Sequence, residues 1–452
     1  MNQGLTIVPP PVVGEALRRL EARGFQAWCV GGCVRDSLLG KAPSDWDIAT
    51  SALPQETKAC FAGERLVEAG AAHGTIAWVP SGGHPIEITT FRSDGAYTDG
   101  RHPDSVAFSR RLEDDLSRRD FTVNAMAWHP QRGLVDLFHG QEDLSAGLLR
   151  CVGEPARRFS EDALRILRCL RFSSQLGFAI HPDTAQALWE KRELLLALSH
   201  ERVREELTKL LCGQGAAAVL RQYAAVVFTV LPELAPMKGC AQETPYHCFD
   251  VWEHTLHAVD YAPQQGDLRW AALLHDAGKP GRKTRSADGV AHFYGHPPES
   301  GRIARQVLTR LRFSNKERDW IAALVDHHED AMPMGEAHLK GLLGRYGERF
   351  VFTLFQLQEA DMSAKAPGVF ARRLPDLEES RALARAILER GDCLTLGDMA
   401  LTGEDLKALG VAPGPEMGKL LRRLLEAVQR GEAANTPAAL GELAKRLLKR
   451  GL

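Results

Sequence analysis

The sequence predicts a mixed α/β domain followed by an all-α remainder. Up to about residue 150, short apolar segments with turn residues between them alternate with helical stretches. From Pro155 onward, the period of amphipathic helices dominates. The chain also has 452 residues, whereas a typical domain has roughly 100–200. We therefore expect several domains.

The first predicted elements are a helix, a strand and a glycine turn. Residues 12–23 have a helical period that stops at Gly24, and FQAWCV (25–30) has the apolar character of a short buried strand. This strand leads directly into Gly31 and Gly32. Further strands are predicted at residues 74–79, 85–91 and 125–130.

The rest of the chain is predicted to be helical, because its apolar residues recur with helical spacing. No repeat of fixed period is present, which argues against a solenoid. The main helical stretches are residues 161–176, 182–213, 251–260, 268–277, 299–312, 315–328 and 376–390.

Composition limits the classes of function. The net charge is −2, so a nucleic-acid surface has to be a local basic patch. No apolar run reaches the roughly 18 residues that cross a bilayer, and the first residues lack the pattern of a secretion signal. We expect a cytoplasmic protein without a membrane partner, and the sequence leaves the oligomeric state open.

A pair of carboxylates stands at the start of an apolar segment. Asp45 and Asp47 flank one residue, and on a strand two such positions share a face roughly 6.6 Å apart. Two carboxylates so placed can bind Mg²⁺ ions that activate a hydroxyl and stabilise a leaving pyrophosphate. Before them, Gly31 and Gly32 allow backbone amides to approach a phosphate, and Arg35 can contact a triphosphate.

These residues form a recognisable pattern. GGCVRDSLLG (31–40) followed by Asp-Trp-Asp resembles the catalytic signature of the class II tRNA nucleotidyltransferase and bacterial poly(A) polymerase family. Three later segments resemble further motifs of that family in the same order. They are EITTFR (87–92), the loop GAYTDGRHPDSVAF (95–108) and RRDFTVNAMA (118–127).

The resemblance implies a polymerase-beta-like nucleotidyltransferase head that uses Mg²⁺. In it, Asp45 and Asp47 are catalytic metal ligands, and Glu87 is a third catalytic carboxylate, although its strand could equally orient the side chain outward. The implied nucleotide-binding residues of the head are Gly31, Gly32, Arg35 and Arg119.

A helix further along carries polar residues at regular intervals. In FSEDALRILRCLRF (159–172), Asp162, Arg165, Arg168 and Arg171 recur every third residue, so neighbouring members share a face. Asp162 accepts and Arg165 donates hydrogen bonds, so the two can present a Watson–Crick-like edge to a base. Arg168 and Arg171 are left for phosphates or packing. The segment resembles the family's EDxxR protein template, which selects C and then A.

The helical half contains a second set of residues with metal-ligand chemistry. An adjacent His-Asp pair closes an apolar helix and is followed by Gly278 and Lys279, with more His and Asp on other helices. This pattern resembles an HD-type phosphohydrolase site, which implies a second divalent metal such as Mg²⁺, Mn²⁺ or Ni²⁺. The predicted ligands are His254, His275, Asp276, His296, His327 and Asp361.

The resemblance therefore implies an enzyme that adds CCA to the 3′ end of tRNA from CTP and ATP. An enzyme that adds only A, or a poly(A) polymerase, remains an alternative in the same class, and the loop from Arg92 to Arg110 disfavours one that adds only CC. From another class, an HD phosphohydrolase with an RNA-binding head is an alternative. The implied domains are a head (1–150), a neck and body (151–245), an HD domain (246–365) and a tRNA-binding helical tail (366–452).

Overall fold

The computed structural model describes residues 7–94 and 106–449. The chain divides into two compact units, of which the first ends at Pro232 and the second begins at Glu233. In the described ranges, no helix is both long and apolar enough to cross a membrane. Residues 95–105 of the loop at 95–108, which resembles a family motif, lie outside the described residues.

The first unit opens with a mixed α/β head. Its strands are β1 (Ala27–Val30), β2 (Asp47–Thr50), β3 (Arg65–Val67), β4 (Thr75–Val79), β5 (Ile86–Thr90), β6 (Arg92–Asp94), β7 (Val106–Phe108), β8 (Met126–His129) and β9 (Gly133–Asp136). Its helices are α1 (Pro11–Glu21), α2 (Gly32–Leu38), α3 (Pro54–Cys60), α4 (Leu112–Ser117) and α5 (Gly140–Ser145).

Seven of these strands form one sheet in the order β3-β4-β5-β2-β1-β8-β9, while β6 and β7 pair separately. The central strand β2 is antiparallel to β1 and parallel to β5. All four residues of β1 are buried, which explains its continuous apolar sequence. The predicted strands at 25–30, 74–79, 85–91 and 125–130 are thus present as β1, β4, β5 and β8.

Helices follow the head in the first unit. They are α6 (Pro155–Glu161), α7 (Leu164–Leu176), α8 (Pro182–Glu190), α9 (His200–Leu211), α10 (Ala216–Gln222) and α11 (Ala224–Val230), with the short parallel strands β10 (Leu148–Leu149) and β11 (Ala179–Ile180).

The predicted helix at 161–176 is interrupted at its start. Asp162 has extended backbone angles, with φ −141° and ψ 104°, and its Oδ1 accepts a hydrogen bond from the backbone N–H of Leu164 at 3.0 Å. A short carboxylate that binds the backbone in this way competes with helix continuation and begins a new helix instead. Asp162 therefore lies in the break before α7. The prediction that it lies on the face of this helix is wrong.

In its described part, residues 233–449, the second unit is helical apart from one two-stranded sheet. Its elements are α12 (Val251–Tyr261), α13 (Gly266–Leu274), α14 (Lys279–Arg282), β12 (Thr284–Arg285), β13 (Ala291–His292), α15 (His296–Arg310), α16 (Asn315–His327), α17 (Glu336–Tyr346), α18 (Glu348–Ser363), α19 (Val369–Glu389), α20 (Gly403–Ala408), α21 (Pro415–Gln429) and α22 (Pro437–Lys449).

Helices α12, α13, α16 and α18 pack against one another around a core of large apolar side chains. The predicted order of an α/β head followed by a helical body is confirmed. The division into four domains at residues 150, 245 and 365 stays a prediction.

Candidate functional site

The backbone geometry of the turn after β1 favours glycine at position 31. Gly31 has φ +78°, a conformation that favours glycine, and a Cβ there would lie 2.9 Å from Nη1 of Arg119. At Gly32, where α2 begins, a Cβ would meet only Nη2 of Arg35, at an ordinary 3.7 Å. Gly31 therefore allows the turn to approach the guanidinium of Arg119.

Three carboxylates meet beside this turn. Asp47 is the first residue of β2 and lies in register with Glu87 on the parallel strand β5, so both side chains point to the same face of the sheet. Asp45 lies two residues before Asp47, exposed and outside the strand, so the prediction that both residues share a strand face is wrong for Asp45. Glu87 thus faces the same side of the sheet as Asp47, and its role as a third carboxylate stays a prediction.

Electrostatics support a cation site at these carboxylates. Burial first, and then the charges of Asp45 and Glu87, raise the pKa of Asp47 to about 6, while the charge of Arg119 lowers it. A carboxylate destabilised by its own neighbours is stabilised when a cation lies between them. Oxygen ligands of this kind are those that Mg²⁺ prefers, so the residues fit a magnesium site.

A cavity of about 740 Å³ lies in the first unit next to Glu87. Its lining combines residues of the sheet with residues near the start of α7, and arginine is the most frequent charged residue in it. Such a wall suits a ligand that carries several negative charges. The charged lining residues are Glu87, Arg92, Arg118, Arg119, Asp120, Asp162, Arg165, Arg168 and Arg202.

Two residues of the predicted template line this cavity. Asp162 binds Nη2 of Arg202 at 3.3 Å. Arg165 donates through Nη1 to Glu161 at 2.9 Å and to the carbonyl oxygen of Arg158, and through Nη2 to the carbonyl oxygen of Arg118 at 3.0 Å. These bonds fix the orientation of the guanidinium. Since a guanidinium has five N–H groups, its Nε–H and one Nη2–H remain without a partner among the residues that the structure describes.

Arg168 is held by a buried carboxylate. Its Nη2 lies 2.6 Å from Oδ2 of Asp120, whose Oδ1 accepts from Nδ2 of Asn124 at 3.1 Å. Although burial alone would raise the pKa of Asp120, Arg168 and the donors of Asn124 and Phe121 hold it well below its usual range. Asp120 is therefore ionised and fixes Arg168 at the cavity wall.

Four of the predicted nucleotide-binding residues lie outside the cavity lining, namely Gly31, Gly32, Arg35 and Arg171. Nη1 of Arg35 donates to Oδ1 of Asn124 at 2.6 Å, and its Nε donates to Asp36. Arg171 is buried and donates to Glu206 at 3.1 Å. Asn124 connects Arg35 to the Asp120–Arg168 pair, so the geometry favours a positioning role for Arg35 and a packing role for Arg171.

Sequence reasoning overlooked three residues of this site. Asp120 and Asn124 stand in the RRDFTVNAMA segment, from which only Arg119 was selected, although a carboxylate beside two arginines was a usable signal. Arg202 lies on α9, forty residues beyond Asp162 in the sequence, and no local pattern distinguishes it from other basic helix residues.

The second unit contains a buried group of histidines and carboxylates, which we call the histidine–aspartate cluster. His254 and His275 are both fully buried, and their Nε2 atoms lie 3.4 and 3.3 Å from Oδ2 of Asp276. Oδ1 of Asp361 lies 2.9 Å from Nε2 of His254. The cluster consists of His254, His275, Asp276, His296, His328 and Asp361.

The sequence prediction of His327 is wrong for this cluster. Nδ1 of His327 lies 2.8 Å from Oδ2 of Asp330, outside the cluster, whereas Nε2 of His328 lies 3.6 Å from Oδ1 of Asp276. Successive residues of a helix point about 100° apart. At the end of α16, only the second histidine of the pair therefore faces the cluster.

The cluster has the chemistry of a metal site. Burial first lowers the pKa of His254 and of His328, which favours the neutral ring that binds a metal. At His275 burial also lowers the pKa, but the charges of Asp276 and Asp361 outweigh it and raise the pKa to about 10, so a metal there would have to displace a proton. Imidazole nitrogens together with carboxylate oxygens suit divalent transition metals. Five of the six predicted ligands therefore lie together in the structure. In place of the sixth, His327, the cluster contains its neighbour His328.

Three known sequence families match successive parts of the chain. Residues 27–150 match the family described as the poly A polymerase head domain, and residues 177–237 match the probable RNA and SrmB-binding site of polymerase A. Residues 298–444 match the family described as tRNA nucleotidyltransferase domain 2.

Whole-chain comparisons agree with these matches. The chain is 35% identical over 429 residues to the CCA-adding enzyme of Lactobacillus delbrueckii subsp. bulgaricus, which covers 94% of this chain and 95% of the relative. It is 36% identical over 433 residues to the CCA-adding enzyme of Limosilactobacillus fermentum, with 96% of both chains covered.

Solved structures give the same result. The chain is similar to the Bacillus stearothermophilus CCA-adding enzyme in complex with CTP, with a TM-score of 0.73, 30% identity, and coverage of 98% of this chain and 100% of the other. The Thermotoga maritima CCA-adding enzyme complexed with tRNA-CCA has the same fold, with a TM-score of 0.55, 21% identity, and coverage of 98% and 97%.

Proposed function

The chain belongs to the family of CCA-adding enzymes, and from this premise we propose that the cavity of its first unit is where C and A are joined to the 3′ end of tRNA. The protein is a nucleotidyltransferase that uses CTP and ATP. The observation that carries the placement of the site is the set of three carboxylates beside an arginine-lined cavity.

In this reaction the 3′-hydroxyl oxygen of tRNA attacks the α-phosphorus of the nucleoside triphosphate, the bond from that phosphorus to the pyrophosphate oxygen breaks, and pyrophosphate leaves. Asp45 and Asp47 would hold Mg²⁺, with Glu87 as the third carboxylate. When bound, Mg²⁺ lowers the pKa of the attacking hydroxyl and stabilises the charge of the leaving group.

Side chains of the cavity would bind the triphosphate and recognise the base. Arg119, next to the glycine turn, is placed to neutralise the triphosphate, and the Asp120–Arg168 pair keeps a second guanidinium at the wall. Asp162 and Arg165 would hydrogen-bond the edge of the incoming base. Because Arg165 is fixed by Glu161 and by the backbone of Arg118, it can select a base without reorganisation, which is the advantage of a preorganised site.

The experiment is an extension assay on three tRNA ends. Purified protein is incubated with tRNA that stops before the CCA, after C or after CC, each with labelled CTP or ATP. We expect CTP to be used on the first two ends and ATP only on the third, with extension stopping after one A. Use of ATP alone would identify an A-adding enzyme, and continued addition of A would identify a poly(A) polymerase; either result would contradict the proposal.

The histidine–aspartate cluster supports a second activity, a metal-dependent phosphohydrolase. The observation that favours it is two buried groups of possible metal ligands, His254–His275–Asp276 and Asp276–His296–His328, which share Asp276. A cavity of about 450 Å³ reaches His328 and Asp361 and is also lined by Lys365, Arg372 and Arg373. These cations are suited to a phosphate ester at its entrance. A bound metal would supply an activated water for hydrolysis.

Replacing His275 and Asp276 together by Ala should remove metal-dependent phosphatase or cyclic-phosphodiesterase activity, because both ligands lie at the centre of the cluster. Nucleotide addition should continue, since its carboxylates belong to the other compact unit. Hydrolysis of a chromogenic phosphomonoester and of a 2′,3′-cyclic nucleotide is measured with Mg²⁺, Mn²⁺ and Ni²⁺.

The matched control is His327→Ala, which removes the neighbouring histidine that points away from the cluster. Asp276→Asn, which keeps the shape of the side chain, serves as a second variant if the double substitution lowers the melting temperature. Absence of hydrolysis in the unmodified protein with all three metals would contradict this second function and leave the first untouched.

A further inference from the structure

We propose that Asp115 is a positioning residue for nucleotide addition, because it holds the guanidiniums of Arg118 and Arg119 at the wall of the cavity in the first unit. The inference rests on the proposed function for the presence of a triphosphate in that cavity. It adds a residue that lies behind the cavity lining and outside the segments that resemble family motifs.

The carboxylate of Asp115 is shared by two consecutive arginines. Asp115 lies on α4 and is completely buried. Arg118 donates to Oδ1 through Nε at 3.0 Å and through Nη2 at 2.6 Å, and Arg119 donates to Oδ2 through Nη2 at 3.0 Å. Each oxygen of one carboxylate is therefore bound by a different guanidinium.

Asp115 is ionised in this position. Burial by itself would raise the pKa of Asp115, but the charges of Arg119 and Arg118 and their hydrogen bonds hold it below its ordinary value. A buried charge is costly unless it is both paired and hydrogen-bonded. The two arginines meet this requirement, so the carboxylate and the guanidiniums fix one another.

The shared carboxylate leaves a positive charge for a ligand. Arg118 and Arg119 both line the cavity, and their side chains are 18% and 19% exposed. An arginine with a carboxylate of its own would be neutralised. Here one carboxylate binds two guanidiniums, so the three groups together carry one net positive charge at the cavity wall, which suits an anionic ligand.

Arg119 also has donors to spare. Its Nη2 donates to Asp115, and its Nη1 donates to the carbonyl oxygen of Asn124 at 3.4 Å. Because each terminal nitrogen of a guanidinium carries two N–H groups, one N–H on each has no partner within the described part of the chain. Donors of this kind can bind the oxygens of a phosphate.

The guanidinium of Arg119 lies beside the proposed metal ligands. A Cβ at Gly31 would be 2.9 Å from its Nη1. Although burial and the charges of Asp45 and Glu87 raise the pKa of Asp47, the charge of Arg119 lowers it. Arg119 is therefore close to both the glycine turn and Asp47, where the triphosphate of a nucleotide held by Mg²⁺ would lie.

Helix α4 gives Asp115 a fixed base. Leu112 and Leu116 of this helix belong to a buried apolar cluster with residues of β1, β2 and β8, namely Trp28, Val30, Ala49 and Ala127. Strand β1 leads into the glycine turn, and β2 begins with Asp47. Asp115 is thus held in place relative to both parts of the site.

The test separates binding of the triphosphate from choice of the base. Asp115→Asn keeps the shape of the side chain but removes its charge and directs amide donors at a guanidinium, so Arg119 loses its fixed position. We expect the KM for CTP and for ATP to rise on the order of 10- to 10²-fold. The inhibition constant of pyrophosphate should rise by a similar factor, because pyrophosphate has no base.

The preference for CTP over UTP should not change in Asp115→Asn. Arg165 is held by Glu161 and by the backbone of Arg158, and neither contact involves Asp115. This outcome is the opposite of the one expected when Arg165 itself is replaced. The preference is measured on tRNA that stops before the CCA, with each nucleotide supplied separately.

A double-variant cycle tests whether Asp115 acts through the arginine. Arg119→Ala should raise the same two constants, and the variant with both changes should show less than the product of the single effects, since the two residues are coupled. Asp115→Glu, which keeps the charge and moves it by one methylene group, is a second variant that should raise both constants if Asp115→Asn does not fold. Glu113→Gln is the matched control, because Glu113 is on the same helix and 55% exposed.

A role of Asp115 in folding alone would reduce the fraction of active enzyme, which lowers kcat but leaves the KM and the inhibition constant unchanged. That result, or an equal loss of preference for CTP over UTP, would overturn the inference and leave the proposed function standing. Failure of the unmodified protein to add C and A would overturn both.

Discussion

Replacing Asp47 by Asn is expected to abolish the addition of both C and A to tRNA, with little change in tRNA affinity. The substitution keeps the shape of the side chain and removes the charge that a cation needs. Metal ions supply several kcal/mol of transition-state stabilisation, so the rate should fall by roughly 10³-fold or more, at about 1.4 kcal/mol per factor of ten. The same loss is expected for Asp45→Asn.

Both nucleotides should be affected equally, because in the proposed site the carboxylates hold the metal at the triphosphate and do not contact the base. The measurement is a single-turnover rate for each nucleotide, together with tRNA affinity from a binding titration. Glu142→Gln is a matched control, since this carboxylate is 80% exposed on α5 and outside the cavity lining. Rates in Asp47→Asn within tenfold of the unmodified enzyme at saturating Mg²⁺ would show that Asp47 is not a metal ligand.

Changes at Asp162 and Arg165 are expected to alter the choice of nucleotide more than the binding of tRNA. A site that recognises a base by hydrogen bonds rejects other bases because its own polar groups would lose their partners. Asp162→Asn keeps an acceptor for the N–H of Leu164 but introduces donors at the cavity. We expect the ratio of correct to incorrect incorporation to fall on the order of 10²-fold.

Arg165→Ala should have a similar effect, since it removes the donors that Glu161 and the backbone of Arg118 hold in place. The matched control is Arg157→Ala, because Arg157 also pairs with Glu161 but is 72% exposed. Incorporation is measured with each of the four nucleotides separately. A uniform loss for all four, with their ratios unchanged, would assign Asp162 and Arg165 a structural role.

The parts of the site that depend on local sequence could be predicted. The strands and the glycine turn follow from short-range patterns, because turn geometry and strand formation depend on the residues at those positions. The placement of Asp45 on the strand does not, because β2 begins only at Asp47. The metal-ligand types in the second unit were also recognisable, since His and Asp on apolar helices are unusual.

What could not be predicted are the partners that come from distant residues. The sequence predicts a triphosphate contact for Arg35 and leaves phosphate or packing open for Arg171, but it does not identify their partners Asn124 and Glu206, which are 89 and 35 positions away. The helical period of the sequence continues through Asp162, so it does not predict the break there. The break depends on the hydrogen bond between the Asp162 side chain and the backbone N–H of Leu164. His327 and His328 are adjacent on one helix, and only packing decides which of them faces the cluster.

The central claim is that one set of side chains in one cavity selects both C and A. Crystal structures of the full chain with CTP and with ATP, each with Mg²⁺, test it most directly. In both complexes the base should lie within hydrogen-bond distance, about 3 Å, of Asp162 and Arg165, with the triphosphate beside Asp45 and Asp47. A base bound away from Asp162 and Arg165 in either complex, or the two nucleotides in different cavities, would contradict the claim.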